Sequence, residues 1–190
     1  MGAMGFTIPV LAVVGPGLIG GSVAAALKKA GCVQRVLGVS RQTSTAAQAL
    51  ELGLIDEIVD LETATQRADV IVLATPVGAT RSLLERIKPH LQAHTIITDA
   101  GSTKADVLQA ALEVLGDKAS QFVPGHPIAG AEKAGPESAF AELYQQRIVI
   151  LTPHSENTMT VKNQVIQLWE HCGARVLLMS ATEHERVLAS

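Results

Sequence analysis

The segment Gly15-Pro-Gly17-Leu-Ile-Gly20 constrains this chain more than any other part of its 190 residues. It follows the β-branched run at 10–14 and opens an apolar stretch of helical period at 18–30. Gly15 permits a tight turn, Gly17 lets a ligand's phosphates approach the backbone, and Gly20 lets helix and strand pack closely. The helix start then offers bare N–H groups and the positive end of its dipole to an anion. The expected ligand is the pyrophosphate of a dinucleotide, held by Gly15, Gly17, Leu18, Ile19 and Gly20; a glycine-rich turn with no ligand is the alternative. The same glycines, with Pro9 and Pro16, argue against a membrane span although residues 5–27 carry no charge. They would break a transmembrane helix, and no basic segment of a signal peptide precedes them.

The rest of the chain alternates short β-branched runs with longer helix-period stretches. Strands are expected at 10–14, 36–39, 70–74, 95–98, 121–123, 147–151 and 175–178. Helices are expected at 18–30, 43–52, 79–89, 104–115 and 158–171, with a weaker strand–helix pair across 57–67. Such alternation predicts an α/β fold with a doubly wound, mostly parallel sheet, spanning residues 1–180 as one domain. Aromatic residues make up 3% of the chain against 47% hydrophobic, so the core must be built from Ala, Val, Leu and Ile, which suits a parallel sheet covered by helices.

A net charge of −3 leaves no electrostatic footprint for nucleic acid. Cys32 and Cys172 lack CxxC or Cys/His ligand spacing, which argues against a disulfide framework or a zinc site and fits a reducing cytoplasm. No metal site is read. Thr182-Glu-His-Glu185 has the form of a capping box, so a helix is expected from about Glu183. Residues 181–190 are therefore read as the start of the first helix of a further, helical domain, and the chain as a piece of a longer protein. Met1-Gly-Ala-Met4 is compatible with an expression remnant.

Twenty residues past Gly20, at the end of the second strand, an acidic residue commonly holds the ribose hydroxyls of NAD. Here Ser40-Arg41 stands there, followed by Thr43 and Ser44. A guanidinium and several hydroxyls suit a 2′-phosphate that a carboxylate would repel, so NADP is expected over NAD. A surface arginine of no consequence is the competing reading.

Two further stretches follow strands at the edge where an open α/β sheet binds its ligands. One is Asp99-Ala-Gly-Ser102-Thr-Lys104; the other is Gly125-His126-Pro-Ile-Ala-Gly130, which places a histidine in a Gly/Pro turn. A neutral imidazole near pH 7 can take a proton from a substrate hydroxyl during oxidation. By chemistry alone, nothing separates His126 from an ordinary loop histidine. Lys104 and Lys133 are read as helix or loop residues facing solvent.

The stretches GPGLIGGS at 15–22, GVSR at 38–41, TDAGSTK at 98–104 and GHPIAGAEKAG at 125–135 resemble the prephenate/arogenate (cyclohexadienyl) dehydrogenases of tyrosine biosynthesis. The resemblance runs from about Val10 to the end of the chain, and GHPIAG is its most distinctive element. It implies a Rossmann-type domain followed by a C-terminal helical dimerisation domain, hence a homodimer in the full-length protein. The implied reaction is NADP-dependent oxidative decarboxylation of prephenate or arogenate. By motif, His126 matches the catalytic base and Ser102 a serine that places it. Ser40 and Arg41 match the 2′-phosphate position, Thr75 and Pro76 match residues lining the cofactor, and Glu132 matches an acidic residue at the mouth of the site.

The family's further substrate-binding groups follow beyond Ser190, so this chain is expected to bind cofactor without turning over. Alternatives are another NADP enzyme of similar layout, such as a hydroxyacid dehydrogenase or a pyrroline-carboxylate reductase, and a regulatory module that binds NADP without chemistry. The choice between prephenate and arogenate, and any feedback by tyrosine, are not written in these residues.

Overall fold

A computed structural model describes residues 5–129 and 133–189. The first strand, β1 (Ile8–Val14), is buried along most of its length, and its side chains still alternate. Leu11 and Val13 enter one core layer, while Ala12 and Val14 enter the other. That two-residue period, buried on both faces, makes β1 a central strand of a covered sheet. The chain then runs through α1 (Leu18–Lys29), β2 (Val33–Val39), α2 (Thr43–Glu51), β3 (Glu57–Ile58) and α3 (Leu61–Arg67). It returns to the other side of β1 through β4 (Val70–Leu73), α4 (Thr80–Ile87), β5 (Ile96–Asp99), α5 (Ala105–Leu115) and β6 (Phe122–Val123).

These six strands form one parallel sheet in the order β3-β2-β1-β4-β5-β6. This is the doubly wound Rossmann order, with its switch point between β1 and β4. The expected α/β fold is therefore present, including the weak strand–helix pair now resolved as β3 and α3.

Strands 147–151 and 175–178 behave differently from the expectation of one continuous sheet. Together with β7 (Gly125–Pro127), strands β8 (Ile148–Leu151) and β9 (Arg175–Leu178) form a separate three-stranded sheet in the order β7-β8-β9. Pro124 separates β6 from β7 and has no N–H to offer a ladder, so it ends the parallel pairing. The chain turns there, and β7 pairs antiparallel with β8, His126 facing Ile150. The second sheet is tied back by α6 (Met159–His171), whose Trp169 meets Tyr144 edge-on at 5.4 Å between ring centroids. The Tyr144 hydroxyl donates to the Ile19 carbonyl at 2.7 Å, fastening this layer to α1.

The last helix, α7 (Ala181–Ala189), is where the capping signal pointed, but its cap lies two residues earlier. Ser180 Oγ accepts from the Glu183 N–H at 3.0 Å, and Glu183 accepts from the Ser180 N–H at 3.1 Å. Thr182 and Glu185 do not form the box. Glu185 instead accepts from the N–H groups of Lys104 and Ala105 at the start of α5, at 3.2 and 3.1 Å. Among the described residues, no helix is long and apolar enough to cross a membrane.

Candidate active site

The register of the large sheet places the candidate residues along one edge. Val39, Val14, Leu73 and Asp99 pair in sequence across β2, β1, β4 and β5, so they form a single row. The residues that follow each of them leave the sheet side by side: Ser40-Arg41, the Gly15 turn, Thr75-Pro76 and the loop to Ser102. Gly125 and His126 join them just past the end of β6. Motifs scattered over more than a hundred positions thus meet along one crevice at the carboxyl ends of the strands.

The glycine turn has the dimensions its sequence implies. Gly15 sits at φ +89, and a Cβ there would stand 2.6 Å from the Ala74 carbonyl oxygen. A Cβ on Gly20 would meet Gly15 O at 2.4 Å and Val13 Cγ1 at 2.7 Å, so α1 packs on β1 only without a side chain. Helix α1 starts at Gly17 with no side-chain cap and no acidic residue in its first turn. The Leu18 N–H is held by the Ala134 carbonyl at 2.7 Å, while those of Ile19 and Gly20 have no backbone acceptor among the described residues. The two amides left at this uncharged helix start, beside a glycine cradle, fit the pyrophosphate of a dinucleotide.

At the end of β2, Ser40 Oγ accepts from the Gln42 N–H at 3.1 Å and keeps its own O–H to donate. Arg41 is exposed and joins no ion pair among the described residues. Thr43 opens α2, which also has no acidic residue in its first turn. Ser40, Arg41 and Thr43 thus follow one another from the end of β2 into the start of α2, with no carboxylate among them. Thr75 lies against Gly15, its Cγ2 3.0 Å from where a Cβ there would stand, and Pro76 is exposed beside it. Glu132, the expected gate, lies outside the described residues.

His126 is not in a turn, as its Gly/Pro neighbours suggested, but at the centre of β7. Its Nδ1 lies 2.8 Å from Nε2 of His184 on α7, with the rings edge-to-face at 5.1 Å between centroids. Burial, then His184, then the Lys104 cation push the His126 imidazole down from its usual 6.5 to about 4, so it is neutral near pH 7. Ser102 is exposed on the loop after β5, and no hydrogen bond among the described residues joins it to His126.

Lys104 corrects the sequence reading. It is fully buried, not solvated, and its ammonium donates to Asp99 Oδ1 at 2.8 Å, Asp99 Oδ2 at 2.6 Å and the Gly125 carbonyl at 2.7 Å. The Asp99 carboxylate also accepts from the N–H groups of Gly125 at 2.9 Å and Gly101 at 3.0 Å. Three ammonium protons find three oxygens, which is how a buried charge is tolerated. Desolvation still pulls the Lys104 ammonium below its ordinary value, against the pull of Asp99. The pair clamps the loop carrying Ser102 to the strand carrying His126. Lys133, by contrast, is exposed as expected.

Asp99, Lys104, His184 and Glu185 are the residues sequence reasoning missed. Asp99 and Lys104 lie in the stretch 99–104 already singled out, without the pairing that gives them their role, and His184 carries only a faint signal, its i, i+3 spacing from Ala181 among charged and polar neighbours at 182, 183, 185 and 186.

A family profile described as the prephenate dehydrogenase nucleotide-binding domain matches residues 23–178. The chain is 37% identical to a cyclohexadienyl dehydrogenase of Zymomonas mobilis, over 94% of this chain and 61% of the relative. It is also 37% identical to a prephenate dehydrogenase of Bacillus subtilis, over 91% of this chain and 47% of the relative. The crystal structure of prephenate dehydrogenase from A. aeolicus with hydroxyphenyl propionate and NAD+ superposes with a TM-score of 0.90 at 31% identity, over 97% of this chain and 64% of that one. The chain thus spans about half to three-fifths of the length of these curated relatives.

Proposed function

This chain belongs to the family of prephenate dehydrogenase nucleotide-binding domains, and from that premise we propose that it serves an NADP-dependent dehydrogenase acting on prephenate or arogenate. The single observation that carries this reading is His126, held neutral by burial at the ligand edge of the sheet. It shares that edge with a glycine cradle fitted to a dinucleotide. Gly15, Gly17, Ile19 and Gly20 hold the pyrophosphate, and Thr75 and Pro76 line the same crevice. Ser40, Arg41 and Thr43 take the 2′-phosphate, which supports NADP over NAD. Glu132 is proposed as the acidic residue at the mouth of the site.

When bound, the cofactor's nicotinamide supplies the acceptor for the hydride leaving the substrate's ring carbon. His126 takes the proton of the ring hydroxyl, and Ser102 orients that hydroxyl toward it. As the carbonyl forms, the ring becomes the sink for the electron pair of the bond to the departing carboxylate, and the proton held by His126 returns to the ring oxygen. Loss of carbon dioxide and aromatisation follow. In this reading the intact protein is a cytoplasmic homodimer whose remaining substrate contacts come from a helical domain, with residues 181–190 as that domain's first helix.

The experiment has two arms. Calorimetric titration of the 190-residue chain gives NADP+ binding that Arg41→Ala weakens about ten- to a hundredfold, with NAD+ binding little changed. Equal affinity of the unmodified chain for both cofactors overturns the NADP assignment. In the intact protein, NADPH formation from prephenate or arogenate falls about 10² to 10⁴-fold in His126→Asn, whereas the 190-residue chain alone gives none. An His126→Asn enzyme that keeps most of its rate is incompatible with His126 as the base.

A further inference from the structure

His184 contacts the proposed base directly, and neither the motifs nor the reaction outlined above accounts for it. It lies 58 residues along the chain from His126, is 1% exposed, and presents Nε2 to His126 Nδ1 at 2.8 Å. Its position is set by the rest of α7. The Ser180–Glu183 cap fixes the start of the helix, and the Glu185 carboxylate docks it on the first amides of α5. Ala181 is buried one turn before His184 on the same face.

We propose that His184 is the positioning residue for His126: its Nε2 accepts the N–H of His126 Nδ1, fixing the tautomer that leaves His126 Nε2 free to take a proton. The inference rests on the reading of His126 as the base. A neutral imidazole carries one N–H. A base that works through Nε2 must carry that hydrogen on Nδ1, and a partner accepting at Nδ1 holds it there. Since Nδ1 already faces His184, Nε2 is the only nitrogen His126 has left for a substrate.

The charged groups around the pair point to the same arrangement. Asp99 on β5 is saturated by Lys104 and by the amides of Gly101 and Gly125. Glu185 on α7 is turned to the amides of α5. Asp106, in the first turn of α5, acts on Lys104 rather than on either ring. Among the described residues no carboxylate is therefore left to receive the His126 N–H, and His184 is the acceptor in reach. Its own Nδ1 has no partner among the described residues, so the direction of the His126–His184 bond is set at the shared contact and not by a second partner of His184. Burial and the Lys104 cation also hold His184 down, so it meets His126 as a neutral ring. A neutral acceptor orients the base without the rise in basicity that a carboxylate would bring.

Long-range proton–nitrogen correlation spectra of the uniformly ¹⁵N-labelled 190-residue chain at pH 7.5 read the tautomers directly. The expected result is His126 protonated on Nδ1 and bare on Nε2, with His184 likewise protonated on Nδ1. A His126 protonated on Nε2 overturns the proposal, and this arm needs neither a variant nor catalysis. In the intact protein, His184→Phe keeps an aromatic ring but removes the acceptor, and kcat falls on the order of a hundredfold. KM for NADP+ is unchanged, and His184→Gln, whose amide oxygen accepts, restores most of the rate. A His184→Phe enzyme with undiminished kcat, or a His184→Gln enzyme no better than His184→Phe, overturns the role. If the protein oxidises neither prephenate nor arogenate, the functional reading fails, while the tautomer assignment still stands or falls on the spectra.

Discussion

The glycine turn and the histidine cluster lie on the same edge of one sheet and are constructed in opposite ways. The turn is made of backbone: its residues are consecutive, its polar groups are amides, and its fit depends on side chains being absent. The cluster is made of side chains from Asp99, Lys104, His126 and His184, drawn from β5, the start of α5, β7 and α7. The turn can form as soon as one strand and one helix pack together. The cluster exists only when four elements have docked, and a buried ammonium is then at stake. It follows that the turn should be sensitive to added atoms and the cluster to removed ones.

The largest effect should come from Lys104→Met. It leaves the Asp99 carboxylate buried with two amide donors and no cation, and breaking a buried pair from one side costs about 3–5 kcal/mol. Urea unfolding of the 190-residue chain followed by circular dichroism measures this loss. The double change Asp99→Asn with Lys104→Met removes both charges and should recover a large share of it. A single variant within about 1 kcal/mol of the unmodified chain would place the cluster with ordinary surface ion pairs and end the contrast with the turn.

The same contrast explains what could be read from the sequence. The order of the first six strands follows from local patterns: β-branched runs, helix-period stretches and the glycine fingerprint each lie within one element. The small second sheet does not. The run at 148–151 is as apolar as any strand of the large sheet, and only the turn at Pro124 hands it to β7. The cap of α7 shows how a local rule goes wrong. Ser180-x-x-Glu183 and Thr182-x-x-Glu185 both satisfy the capping pattern, and the choice falls to the first because Glu185 is needed at the amides of α5, some 80 residues away. The burial of Lys104 escapes a local reading for the same reason. Its partner Asp99 is only five residues back, but the burial that makes the pair matter comes from β7 and α7.

A smaller effect is expected on the other side of the contrast. Gly20→Ala adds one carbon where Gly15 O and Val13 Cγ1 leave no room. Overpacking of this kind costs about 1–3 kcal/mol, and the helix start must shift, so NADP+ affinity should fall with stability. Gly53→Ala is a suitable control. It too adds one methyl, here to a glycine at positive φ, unlike Gly20, but no atom lies within 4 Å of the new carbon and the crevice is remote. It should therefore cost stability while leaving cofactor affinity unchanged. Should Gly20→Ala bind NADP+ normally, close packing of α1 on β1 is not what shapes the turn.

The smallest effect is a dependence on pH that belongs to the cluster alone. His126 titrates near 6.5 when unfolded and near 4 when folded, chiefly because burial disfavours its charged form, with His184 and Lys104 adding to the same direction. As the pH falls through 6.5 the unfolded chain takes up a proton that the folded chain refuses, so stability declines. The decline ends near 4, where the folded form accepts the proton too. His184 is shifted in the same direction, by desolvation and then Lys104, and steepens the slope. The His126 ring is still partly exposed, so its own contribution is on the order of 1 kcal/mol. The glycine turn holds no titratable side chain and contributes nothing over this interval. Thermal melts from pH 7.5 to 4.5 should therefore show a decline that is shallower in His126→Asn and unchanged in Arg41→Ala. Equal slopes in the unmodified chain and His126→Asn would mean that the folded state does not hold this imidazole neutral.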